Sequence, residues 1–119
     1  MSIFSQLHNF VEKELERHTK GGKIDVKKAL KSAFVKTNEQ LHRNNRIRDD
    51  LSGTTCILVL IIGKVMHIAN IGDSRAIVAK QDHTNKDKLN AIALSYDQTP
   101  YRKVRMLSVV CIWLRWVRT

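Results

Sequence analysis

Cysteine, proline and glycine are scarce in this chain: two, one and five among 119 residues. So few prolines and glycines exclude a linker or low-complexity protein. The two cysteines, Cys56 and Cys111, lie in apolar runs without CxxC spacing, so buried thiols are expected rather than a zinc site. The five histidines are scattered, and none pairs at metal-ligand spacing. No apolar run reaches the roughly 18 residues of a membrane span. The N-terminal segment carries acids early and does not read as a signal peptide. A reducing intracellular location, cytoplasmic or nuclear, is the expectation.

Acid is missing from one end only. The last acidic residue is Asp97, and five basic residues follow it: Arg102, Lys103, Arg105, Arg115 and Arg118. The formal charge of +10 suggests a polyanion partner. Without that end the balance is sixteen basic residues against eleven acidic, so half the excess is local and specific nucleic-acid binding is not expected. A hydrophobic share of 43% is ordinary for a globular chain. At this length the chain is one domain at most, or a piece of a larger one.

Two amphipathic helices come first. Ile3, Leu7, Phe10, Val11 and Leu15 recur at helical spacing, and Gly21-Gly22 is expected to end that helix. Asp25 fits an N-cap, with Lys28 leaving no capping box. Val26, Ala29, Leu30, Ala33, Phe34 and Leu41 then form the stripe of a second helix ending near Arg43.

The sheet follows a polar loop. Residues 56–62 are apolar at every position, which predicts a strand covered on both faces. Gly63-Lys64 reads as a two-residue hairpin turn into a strand over 65–71. Gly72 to Ser74 breaks it, Arg75 to Lys80 resumes, and 89–95 forms a fourth strand after a solvated loop. Helices followed by an antiparallel meander define an α+β chain. Two helices supply one covering layer, so the other face of the sheet requires a second sheet or a partner.

Asp73 is the sharpest chemical candidate, because a carboxylate between apolar strands costs free energy unless paired or bound to a cation. A turn aspartate accepting backbone N–H bonds, or pairing with Arg75, is the reading the sequence alone favours, because aspartate is common in strand-to-strand turns. Ser74 after Gly72-Asp73 resembles an esterase nucleophile, but no Asp-x-x-His base follows, and Asp82-His83 lies in a loop. Asp49-Asp50 reads as a solvated pair beside Arg46 and Arg48. Ser52-Gly53-Thr54-Thr55 lacks a P-loop lysine and reads as a strand start. No single residue establishes an activity, and none is assigned a catalytic role.

Three segments in order do carry a resemblance. Ser52-Gly53-Thr54-Thr55, then Gly72-Asp73-Ser74-Arg75-Ala76, then Leu94-Ser95-Tyr96-Asp97-Gln98-Thr99-Pro100, preceded by two helices, resemble the metal-dependent protein serine/threonine phosphatases of type 2C. The resemblance runs from about residue 3 to Arg102, a partial domain. It implies a fragment of a four-layer α-β-β-α sandwich, whose second sheet would cover the apolar first strand. It also implies Mn²⁺ or Mg²⁺ as cofactor, and a phosphoserine or phosphothreonine protein as substrate, hydrolysed by a metal-activated water.

Carried over residue by residue, the resemblance gives Asp73 alone a metal position, that of a weaker third site. It gives Asp97 a structural role, with Gly72, Ser74, Arg75 and Pro100. The family's main ligand motifs, upstream of the first helix and well downstream, are not among these residues. The expectation is therefore a chain inactive by itself. A non-catalytic phosphatase-like binding module is the alternative; a nucleic-acid or membrane-surface binder acting through the tail is the third reading. The tail, 103–119, departs from the family's acidic helix and holds both tryptophans. It is expected to lie outside the family fold, as a truncation or frame-shift product. An interfacial helix anchored by Trp113 and Trp116 is the other reading.

Overall fold

The computed structural model describes residues 6–46, 53–82 and 84–98, and the backbone of 113–118. Two compact units divide between Gly53 and Thr54. In the first, helix α1 spans Leu7–Arg17 and buries Leu7, Val11 and Glu14, the 0, +4, +7 positions of one face. The His18 N–H bonds back to the Glu14 carbonyl at 3.0 Å, and the Thr19 hydroxyl donates to the Leu15 carbonyl at 2.6 Å. These bonds satisfy carbonyls that a helix end otherwise leaves open.

Gly21-Gly22 does not close this helix, contrary to the expectation from the sequence. The chain instead makes a small hairpin, β1 (Thr19–Lys20) and β2 (Lys23–Ile24), with the two glycines as its turn. Their φ values of 55° and 75° are those of a primed two-residue turn, which glycine reaches without strain. Helix α2 then runs Val26–His42. Asp25 caps it as predicted, its Oδ1 accepting the Lys28 N–H at 3.1 Å. Val26, Ala29, Leu30, Ala33 and Phe34 are buried, and α1 packs against α2. Alanine at positions 29 and 33, one turn apart, allows the two helices to approach closely.

Glu14 is the costly member of that interface, a buried carboxylate on an apolar stripe. Its Oε1 accepts from Lys36 Nζ at 2.5 Å and from the Arg17 guanidinium at 3.2 Å. Hydrogen bonding from Lys36, then from Ser32, holds its carboxyl below the ordinary glutamate range, against the opposing effect of burial. A depressed folded-state value means that stability is fully present above the ordinary value of 4.5 and is lost as pH falls through the folded one. Lys36→Met leaves the carboxylate without its main donor and is expected to lower stability at neutral pH by about 1–3 kcal/mol. The deficit should shrink in acid, below the ordinary glutamate value of 4.5, as Glu14 protonates. Urea midpoints at both pH values test this, and an equal deficit at both would show that Lys36 acts through packing alone.

The second unit is built on an antiparallel sheet. β3 (Cys56–Ile62) and β4 (Val65–Ile71) form the predicted hairpin around Gly63-Lys64, with Ile62 opposite Val65 and Cys56 opposite Ile71. A second hairpin pairs β5 (Ile77–Gln81) with β6 (Leu89–Ala93). Asp82 closes its loop: one carboxylate oxygen accepts the Thr84 N–H and hydroxyl, and the other accepts from Asn90. These donors hold the Asp82 carboxyl far below its usual range. Two helices followed by antiparallel strand pairs make the chain an α+β fragment.

The expectation that β3 is covered on both faces meets exposed side chains at Val59 and Ile61, which share one face of the strand. The tail also differs from one reading of it. Residues Trp113–Arg118 form a strand, β7, which pairs antiparallel with β4. An interfacial helix is therefore not what these residues make; tryptophan and valine are among the residues that favour extended backbone.

Candidate functional site

Strand β4 ends in the residues that organise the site. Ile68, Ala69 and Asn70 have no exposed surface. Asn70 is the anomaly, an amide inside an apolar strand, and it serves as a cross-link. Its Nδ2 donates to the Gly72 carbonyl at 3.2 Å and to the Tyr96 carbonyl at 3.1 Å. The Gln98 N–H meets the same Gly72 carbonyl at 2.8 Å. Segments 72–76 and 94–98, some twenty residues apart in sequence, are thus joined at one peptide oxygen.

Gly72 turns the chain at φ 90°, in the left-handed region. A Cβ built there would stand 2.4 Å from Cγ2 of Thr55 and 2.9 Å from its Cβ. Thr55 therefore lies directly on the turn, and its hydroxyl shares a 2.6 Å hydrogen bond with that of Ser74. The serine in this motif is engaged by a threonine rather than by a base. Arg75 reaches across to Asp97 in a two-pronged pair, Nε to Oδ1 at 2.7 Å and Nη2 to Oδ2 at 2.6 Å. Those bonds, then the Asp97 charge and more weakly Asp73, raise the Arg75 pKa. With Arg75 exposed and Asp97 half-buried, this pair contributes orientation more than stability.

Ser95 completes the junction and corrects a strand boundary. Its hydroxyl accepts the Ala76 N–H at 2.9 Å, while the Leu94 N–H bonds to the Ala76 carbonyl at 2.8 Å. At Ala76 a side chain replaces the ladder carbonyl, so β5 begins at Ile77 instead of Arg75. For the same reason β6 stops at Ala93 instead of Ser95.

Thr55, Gly72, Ser74, Arg75 and Asp97 are thus brought into one constellation. Ser52 and Pro100 lie outside the described residues, as do Asp49-Asp50, His83 and Cys111. Asn70 is an organising residue outside the three segments singled out in the sequence, and Ser95 lies within one of them without having been given a role. The signal for Asn70 was present: asparagine is depleted in strands, so one among Ile68, Ala69 and Ile71 marks a buried polar contact.

Asp73 stands apart from this network. It is exposed, and among the described residues no hydrogen bond reaches its carboxylate; Arg75 bonds to Asp97 rather than to Asp73. Among the described residues no three of His, Cys, Asp or Glu come together as a metal set. A divalent cation of the magnesium or calcium kind takes about six oxygen ligands. A single carboxylate with a guanidinium two residues away does not fit a two-metal centre. Among the described residues, no helix is long and apolar enough to cross a membrane.

Comparison with known proteins gives this geometry a context. A match to the family described as Protein phosphatase 2C covers residues 3–104. The chain is 51% identical over 79 residues to "Probable protein phosphatase 2C 35" of Arabidopsis thaliana, covering 66% of this chain and 22% of that protein. It is 36% identical over 94 residues to "Probable protein phosphatase 2C 55" of Oryza sativa subsp. japonica, covering 76% and 22%. It is 27% identical over 89 residues to "Protein phosphatase 1L" of Bos taurus, covering 75% and 23%. The chain therefore spans under a quarter of the length of these relatives. No solved structure gives a significant match.

Proposed function

Because the chain belongs to the protein phosphatase 2C family, we propose that it supplies the helix-and-meander part of a Mn²⁺- or Mg²⁺-dependent phosphoserine/phosphothreonine phosphatase, and that it is inactive by itself. The observation carrying this reading is the junction at Gly72. Three sequence segments meet there through Thr55, Asn70, Arg75, Ser95 and Asp97, and fix the turn that presents Asp73. In a complete domain the metals would activate the attacking water and neutralise charge on phosphorus. This chain's part is the turn: Gly72 sets its geometry, Asp97 takes the Arg75 hydrogen bonds, and the exposed Asp73 carboxylate is left to meet a ligand. Phosphoproteins would be the substrates, met through the completed site.

The test has two arms. The purified 119-residue chain should give no Mn²⁺-stimulated hydrolysis of p-nitrophenyl phosphate, and robust turnover would refute the inactivity. In the second arm, this chain's matched 79-residue stretch replaces its counterpart in probable protein phosphatase 2C 35. If the parent hydrolyses a phosphothreonine peptide with Mn²⁺, the chimaera should keep that activity. A folded but inactive chimaera would overturn the assignment of these residues to a working phosphatase framework.

A further inference from the structure

Residues 17–38 carry seven lysines and arginines against one acid, Asp25. Three of the seven are engaged: Arg17 and Lys36 with Glu14, and Lys28 with Asp25. Lys20, Lys23, Lys27 and Lys31 are exposed and make no ion pair among the described residues. Their placement works against the local structure. Lys20 and Lys23 are direct cross-strand partners, where like charges destabilise a hairpin. Lys27 and Lys31 stand at i and i+4 on α2, again a repulsive spacing, with no acid in the first turn to offset it. Four uncompensated cations on adjoining elements point to an anionic partner outside the chain.

The form of the face narrows that partner. A Cβ at Gly21 or Gly22 meets nothing within 4 Å, so the hairpin tip projects into open space. Ile24, beside the lysines, is an exposed large apolar side chain. No Phe, Tyr or Trp lies between Arg17 and Ala33, so there is no platform on which bases could stack. The one arginine is already bound to Glu14, which leaves no fork for a phosphopeptide. Point charges on a projecting tip with one apolar residue suit a soft, flat, negatively charged surface.

We propose that Lys20, Lys23, Lys27 and Lys31, with Ile24, form a docking face for an anionic lipid surface. The Gly21-Gly22 tip sits at the headgroup level, and α2 starts just above it. The proposal rests on residues of the first unit alone.

Vesicle co-sedimentation of the full chain tests the proposal. The chain should bind vesicles containing about 30% phosphatidylserine and not pure phosphatidylcholine, and release at about 0.5 M salt. The double variants K20Q/K23Q and K27Q/K31Q should each weaken binding by roughly fivefold per lysine removed. K20R/K23R should retain it, because charge and not geometry is read. R115Q/R118Q should bind within about twofold of the parent. Salt-resistant binding, or loss in R115Q/R118Q with the lysine variants unaffected, would overturn the proposal. So would capture of a single-stranded oligonucleotide or polyglutamate by these lysines with no affinity for the vesicles.

Discussion

Gly72→Ala is expected to lower the stability of the second unit by about 2–5 kcal/mol, combining strain at positive φ with overpacking. The two terms have separate origins in the structure. At φ 90° an alanine pays a backbone penalty whatever surrounds it. Its Cβ would also lie 2.4 Å from Thr55 Cγ2, a distance that one of the two groups must give up. Thr55→Ser removes that methyl while keeping the hydroxyl that meets Ser74. The double variant should therefore recover about 1 kcal/mol or more of the loss, leaving the backbone term and the tight approach to the Thr55 Cβ. Urea denaturation of the two single variants and the double variant reads this coupling directly. Additive losses would show that Thr55 moves aside freely, and that the turn is held by backbone conformation alone.

That experiment bears on function because the steric lock joins two motifs. Ser52 to Thr55 and Gly72 to Arg75 were recognisable as strings. Their union depends on a missing side chain at one position and a methyl at the other, and no periodicity or spacing encodes that contact. The helices were more legible. Apolar residues at helical spacing and Asp25 ahead of Val26 give the buried faces of α1 and α2 and the start of α2 almost directly. Gly21-Gly22 misled because a glycine pair suits both a helix stop and a primed hairpin turn. The carbonyls of Leu15 and Glu14 were already satisfied by Thr19 and His18, so the helix needed no glycine to end it. The strand boundaries at Ile77 and Ala93 escaped for a similar reason. Ser95 competes with the ladder for the Ala76 N–H, and a serine at a strand end carries no visible mark of doing so.

Asp73 shows the opposite relation between sequence and structure. Its position in the chain suggested chemistry, and pairing with Arg75 was the plain alternative. Arg75 instead turns to Asp97, twenty-two residues on. The consequence is that the hydrogen bonds of the guanidinium go to Asp97, while its charge acts only weakly with the exposed Asp73 carboxylate. Gly72 supplies the bend by its positive φ, so the turn's geometry does not require an aspartate at position 73.

Asn70 carries the second large effect, and the choice of substitution decides what it reveals. Asn70→Asp is nearly isosteric, yet it turns the Nδ2 donor into an acceptor facing the carbonyls of Gly72 and Tyr96. A fully buried carboxylate would then oppose two oxygens, at an expected cost of about 3–5 kcal/mol at neutral pH. Protonation restores a donor, so the deficit should narrow as pH falls. Asn70→Leu is expected to cost less, about 1–3 kcal/mol. It abandons the two carbonyls, but it also removes Asn70 Oδ1, which is buried without a hydrogen-bond partner among the described residues. The Gly72 carbonyl keeps the Gln98 N–H in either variant, while the Tyr96 carbonyl loses the bond from Asn70. Hydrogen exchange gives the local readout: the Gln98 amide should lose protection in both variants beyond the change in global stability, because Asn70 aligns the two segments it bridges. If Asp and Leu destabilise equally and without pH dependence, Asn70 is filling space. If Asp is worse and recovers in acid, the amide is the tie that holds the 94–98 segment on the Gly72 turn.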